Sequence, residues 1–86
     1  MYDYPLSSYW STQEIIDVMS LYNAVEKAYE EGISKDEFMT CYRKFVSIVD
    51  SKSEQKQIDA EFERVSHYSI YKTFQKAKDH DWIDMR

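Results

Sequence analysis

Twice in the first half of the chain the same helix-start signal appears, at Trp10-Ser11-x-x-Glu14-Ile15 and at Ile33-Ser34-x-x-Glu37-Phe38. In each, a serine is placed to cap a helix and a glutamate three residues on is placed to reach back to the cap amide. Flanking apolar residues can staple the entry. A weaker box, Ser51-x-x-Glu54, lacks the staple. Such signals say where helices begin and almost nothing about chemistry. One Gly and one Pro leave little material for the tight turns of a multi-strand β fold, so the chain reads as all-α.

Hydrophobic periodicity fills in the elements. A first helix is expected from about Thr12 to Glu31, closed by Gly32 in a left-handed cap. Its template places Ile15, Val18, Met19, Tyr22, Val25 and Tyr29 on one stripe, with Glu26 the exception. Ile16, Leu21, Ala24 and Ala28 widen that face, as suits a central helix with more than one neighbour. A second helix, about Lys35 to Val49, carries the unbroken stripe Phe38, Cys41, Tyr42, Phe45, Ile48 and Val49. A third, about Lys52 to Val65, has only Ile58, Phe62 and Val65 and is expected on the outside. A fourth, about Ile70 to Lys78, offers Ile70, Tyr71, Phe74 and Ala77.

Residues 1 to 10 form an aromatic arm with Tyr2, Tyr4, Tyr9 and Trp10, expected to lie across the helices as core cover. In the tail, Trp82, Ile83 and Met85 alternate with Asp81, Asp84 and Arg86, which fits either an extension of the fourth helix or a fold-back. Residues 1–86 are thus expected to form one small four-helix, mostly antiparallel domain.

The net charge is −5, and residues 1–50 hold nine acids against four bases while residues 51–86 hold seven of each. An acidic surface repels phosphate, which argues against general nucleic-acid binding and against anionic membranes. The single Cys41 cannot form an internal disulfide, and no apolar run is long enough to span a bilayer. A cytoplasmic location follows as the expectation.

Several of these segments resemble a known family. Tyr4-Pro5, Trp10-Ser11-Thr12-x-Glu14-Ile15, the run Tyr22 to Glu30, Tyr42-Arg43-Lys44-Phe45 and Ser66-x-Tyr68-Ser69-x-Tyr71 look like the YktA-like family of bacterial proteins, UPF0223. The resemblance runs over nearly the whole chain and implies an all-helical cytosolic protein. Because that family is uncharacterised, it supplies no catalytic or ligand residues. It would place Pro near Asp50 and Gly where His67 stands, and Gly suits a left-handed helix end better than His does.

Candidate sites are few. Glu26 is a carboxylate on an apolar stripe with Glu30 one turn later, and acids at a helix C-terminus oppose the macrodipole. Beside Tyr22 and Tyr29 they would make a metal or general-base pair. The simpler reading pairs Glu26 with Arg43, Lys44 or a tyrosine hydroxyl. His67 and His80 match no metal spacing, Cys41 has no neighbouring base, and one glycine excludes a Gly-rich phosphate loop. No metal or cofactor is expected.

The favoured reading is a non-enzymatic interaction protein that docks an unidentified protein partner or a second copy. Its surface would draw on Tyr2, Tyr4, Glu26, Glu30, Trp82 and Ile83. The alternative is a small ligand-binding protein or enzyme using Glu26 and Glu30 near Tyr22 and Tyr29. Trp82 is expected to pack within the chain rather than to anchor a contact with another, since a chain of 86 residues has few other ways to enlarge its core.

Overall fold

The computed structural model describes residues 4–86. Its elements are α1 (Thr12–Glu30), β1 (Ile33–Ser34), α2 (Lys35–Ile48), α3 (Lys52–Ser66), α4 (Ile70–Ala77) and β2 (Trp82–Ile83). Each helix starts at a serine. Ser11 Oγ accepts from the Glu14 amide at 3.2 Å while Glu14 Oε1 accepts from the Ser11 amide at 2.8 Å, a complete capping box. Ser34 caps only from its own side, accepting from the Glu37 amide at 3.2 Å. The Glu37 carboxylate pairs instead with Lys27 of α1, 3.2 Å away. Ser51 and Ser69 cap α3 and α4.

The helix ends also follow from residue type. Gly32 has φ 98°, and its amide bonds the Lys27 carbonyl at 2.7 Å, closing α1 in the left-handed geometry that glycine reaches without cost. His67 ends α3 at φ 69°, ψ 13°, the conformation for which a glycine would be the easy choice.

The core gathers Val18, Leu21, Tyr22, Val25 and Ala28 of α1 with Ile33, Phe38, Phe45, Val49, Phe62, Ile70, Ala77 and Ile83. The buried stripe of α1 is rotated from the one anticipated: Leu21, Ala24 and Ala28 are buried, while Ile15, Met19 and Tyr29 are half-buried. Small alanines let neighbouring elements approach closely, and that draws the contact toward their side of the helix. Glu26 therefore stands at the stripe's edge.

On α4 the rotation is larger. Thr73 is fully buried with its hydroxyl donated to the Ser69 carbonyl at 2.7 Å, while Tyr71 is 56% exposed and Phe74 half-buried. A threonine can occupy the core here because its own helix satisfies its hydroxyl.

The tail folds back. β2 pairs antiparallel with β1 in the register Ile33 to Ile83 and Ser34 to Trp82. The Lys35 amide bonds the Asp81 carbonyl at 2.8 Å, and the Met85 amide bonds the Ala28 carbonyl at 2.9 Å. The tail thus packs within the chain, but Trp82 is not what it buries: Ile83 is fully enclosed, whereas Trp82 lies over Gly32 and is 56% exposed. Alternation along a strand sends neighbouring side chains to opposite faces, so only one of the two can be core. Among the described residues no helix is long and apolar enough to cross a membrane.

Candidate functional site

α2, α3 and α4 converge on a groove of about 680 Å³. One wall is α3, whose Lys52, Lys56, Asp59, Ala60 and Glu63 recur at helical spacing along a single face. The other wall is α4 through Tyr71, Phe74 and Lys78, and Tyr42, Phe45 and Ile70 lie beneath. Phe74 stacks on Tyr42 with centroids 4.3 Å apart and rings 12° from parallel, and Lys78 Nζ sits 4.9 Å from the Phe74 centroid.

Asp59 joins the two walls. Its Oδ1 accepts from the Ile70 amide at 2.7 Å, and its Oδ2 accepts from the Tyr71 amide and the Ser69 hydroxyl, both at 3.4 Å. α4 has no acidic residue in its own first turn, so α3 supplies the carboxylate that its N-terminal amides require. Burial raises the Asp59 carboxyl above its usual value and outweighs the Ile70 and Tyr71 amide bonds, which pull it down. The Tyr42 phenol is pushed up first by its own burial, then by Asp59 and Tyr71.

The residues singled out from sequence lie elsewhere. Tyr2 falls outside the described residues. Tyr4 donates its hydroxyl to Glu26 Oε2 and packs its ring on Tyr22 and Phe62, at centroid distances of 5.3 and 5.2 Å. Glu26 is therefore engaged by a tyrosine hydroxyl from the arm, 22 residues away in sequence, and neither Arg43 nor Lys44 supplies its bond. Tyr22 donates to the Pro5 carbonyl at 2.6 Å, so the arm is tied down at two points. Burial, and then Glu61, raise the Tyr22 phenol far above the ordinary range.

Glu30 accepts from Tyr68, 2.9 Å away, and Tyr68 stacks on Tyr29. Each glutamate thus holds a different tyrosine, and neither lines the groove. Ile83, expected at an interaction surface, is core. Among the described residues no group of three His, Cys, Asp or Glu could hold a metal ion. A smaller hollow of about 160 Å³ lies under the arm between Leu6, Trp10, Ile58 and the acids Glu54 and Glu61.

The groove was missed from sequence because Tyr71 and Phe74 fit a core stripe and the lysines fit a solvated face. One signal was present: Lys52 stands at the first position of α3, where the helix dipole disfavours cations.

The family model of the uncharacterised protein family UPF0223 matches residues 1–85. The chain belongs to that family. A UPF0223 protein of Bacillus cytotoxicus is 56% identical over 78 residues, covering 91% of this chain and 88% of the relative. One from Streptococcus uberis is 51% identical over 78 residues, covering 91% and 85%. The UPF0223 protein YktA of Bacillus subtilis is 41% identical over 80 residues, covering 93% and 91%. The resemblance drawn from the sequence segments is thereby established for the chain as a whole, and this UPF0223 protein is a member of a bacterial family.

Proposed function

We propose that this UPF0223 protein is a non-enzymatic, cytoplasmic protein-interaction module whose docking face is the α2–α3–α4 groove. The observation that carries the reading is the groove itself: a trough with aromatic rings on its floor and one wall, and lysines along its edges. Buried aromatic anchors in a pocket with a charged rim are how most protein contacts concentrate their binding energy. Glu26 and Glu30, the basis of an enzymatic alternative, hold the arm and the α3–α4 loop in place through Tyr4 and Tyr68, which supports structural roles for both.

A site-resolved crosslink tests the proposal. A photoreactive amino acid replaces Tyr71 in the groove, and in a second variant it replaces Tyr9, which is 95% exposed and far from it in sequence. In cells of the native host, the Tyr71 position is expected to give a discrete crosslinked protein band that the Tyr9 position lacks. Equal labelling from both positions, or none from Tyr71, would overturn the groove as the docking face.

A further inference from the structure

Resting on the docking reading above, we infer that the groove takes an acidic chain segment about three helical turns long, with one aromatic or large aliphatic anchor. Charge is the first ground. The protein carries 16 acids against 11 bases, yet the groove collects Lys52, Lys56 and Lys78. Among the described residues the ion pairs are Lys27–Glu37 and Arg86–Asp84, so none of the three groove lysines has a carboxylate partner. Asp59 and Glu63 share the groove, so its lining carries three lysines against two carboxylates, a positive excess in a protein of net charge −5. The remaining α3 acids, Glu54 and Glu61, line the small hollow under the arm instead. On its groove side α3 sets Lys52 and Lys56 at the N-terminal end and its acids, Asp59 and Glu63, beyond them.

The apolar part fits the same occupant. Tyr71 is 56% exposed and Phe74 half-buried, and across from them α3 presents exposed Ala60, whose methyl leaves room for an incoming side chain. From Lys52 to Glu63 the α3 wall runs about 16 Å at the helical rise, the length of a short helical segment. Lys52 and Lys56 stand at one end of that wall and Glu63 at the other. The segment's acids belong over the lysines, its anchor over Tyr71 and Phe74, and a neutral or basic residue beside Glu63.

The test uses the full chain, isotope-labelled, with three synthetic peptides of about three helical turns. The first carries Asp and Glu at one end and a central Phe. The second replaces its acids by Lys, and the third replaces its Phe by Ala. The first is expected to shift the amides of Tyr42, Ala60, Tyr71 and Phe74, to weaken as salt is raised, and to bind at least about tenfold more tightly than either control. Lys52→Gln combined with Lys56→Gln should weaken it by about tenfold with little change in melting temperature, since both side chains are exposed and neither makes an ion pair among the described residues.

If the lysine-bearing peptide occupies the groove as well as the acidic one, the charge inference fails while the docking reading stands. If no peptide shifts a groove amide and the Tyr71 crosslink is also absent, both fail. A single-stranded oligonucleotide, or a second copy of the chain, that fills the groove in preference to the acidic peptide also overturns the inference.

Discussion

Replacing Gly32 by alanine strikes two features of the fold at once, and a second substitution separates them. At φ 98° an L-residue is strained, at a cost of about 1–3 kcal/mol for a sparsely populated backbone region. A Cβ at this position would also lie 2.6 Å from Trp82 Nε1 and 2.8 Å from Trp82 Cε2 and Cζ2. No real contact is so short, so the indole must swing away or the β1–β2 pair must shift, a further loss of about 1–3 kcal/mol typical of overpacking. The sum, about 2–6 kcal/mol, is large beside the roughly 4–13 kcal/mol expected for 86 residues.

Because Trp82 is 56% exposed, its ring can leave, which places the contact penalty toward the low end of its range. The assay is urea unfolding of Gly32→Ala, Trp82→Ala and the double variant. Strain persists whatever stands at position 82, whereas the clash vanishes with the indole. Gly32→Ala should therefore cost less in the Trp82→Ala background, by about 0.5–3 kcal/mol of coupling. Trp82 fluorescence, read in a Trp10→Phe background, should move toward the solvent-exposed spectrum in Gly32→Ala. An unchanged midpoint for Gly32→Ala would refute the left-handed assignment, and equal costs in the two backgrounds would refute the indole contact.

Three other perturbations address the groove, the core and the tail. Asp59→Ala leaves the buried Ile70 amide without its acceptor and should cost about 1–3 kcal/mol, while Asp59→Asn keeps an acceptor oxygen and should cost less in urea unfolding. A raised carboxyl pKa means the native state holds this proton more tightly than the unfolded chain does. The Asp59 contribution is therefore fully present below the unfolded value, near 3.8, and is lost as pH rises through the raised one. Stability measured across that range should fall more steeply with rising pH in the wild type than in Asp59→Asn, and parallel curves would refute the burial. Phe45→Ala empties a site only 2% exposed and should cost about 3–5 kcal/mol, leaving a broad or absent melting transition in calorimetry. Deleting residues 81–86 removes buried Ile83 and the bonds to Lys35 and Ala28, so the melting temperature should drop while light scattering reports an unchanged mass.

Local signals were legible in the chain alone. Ser11 with Glu14, Gly32 after α1, and the apolar spacing of α2 act within a few residues, over distances that backbone geometry already sets. They gave the number, order and near-limits of the helices, whereas the left-handed end at His67 was suggested by the family resemblance and not by local spacing.

What only the tertiary structure decided were the partners of polar groups that are distant in sequence. Glu37 leaves its own cap for Lys27, Glu26 takes the hydroxyl of Tyr4, and Asp59 caps a helix that begins eleven residues later. Periodicity tells which side of a helix is apolar but not how far that side turns against its neighbours. On α4 the turn places Thr73 in the core and leaves Tyr71 and Phe74 to line the groove, and in the tail strand pairing buries Ile83 while Trp82 stays outside. The physical reason is that a side chain's burial and its hydrogen-bond partner are properties of where three or more elements meet, whereas a capping box or a helical stripe is a property of one.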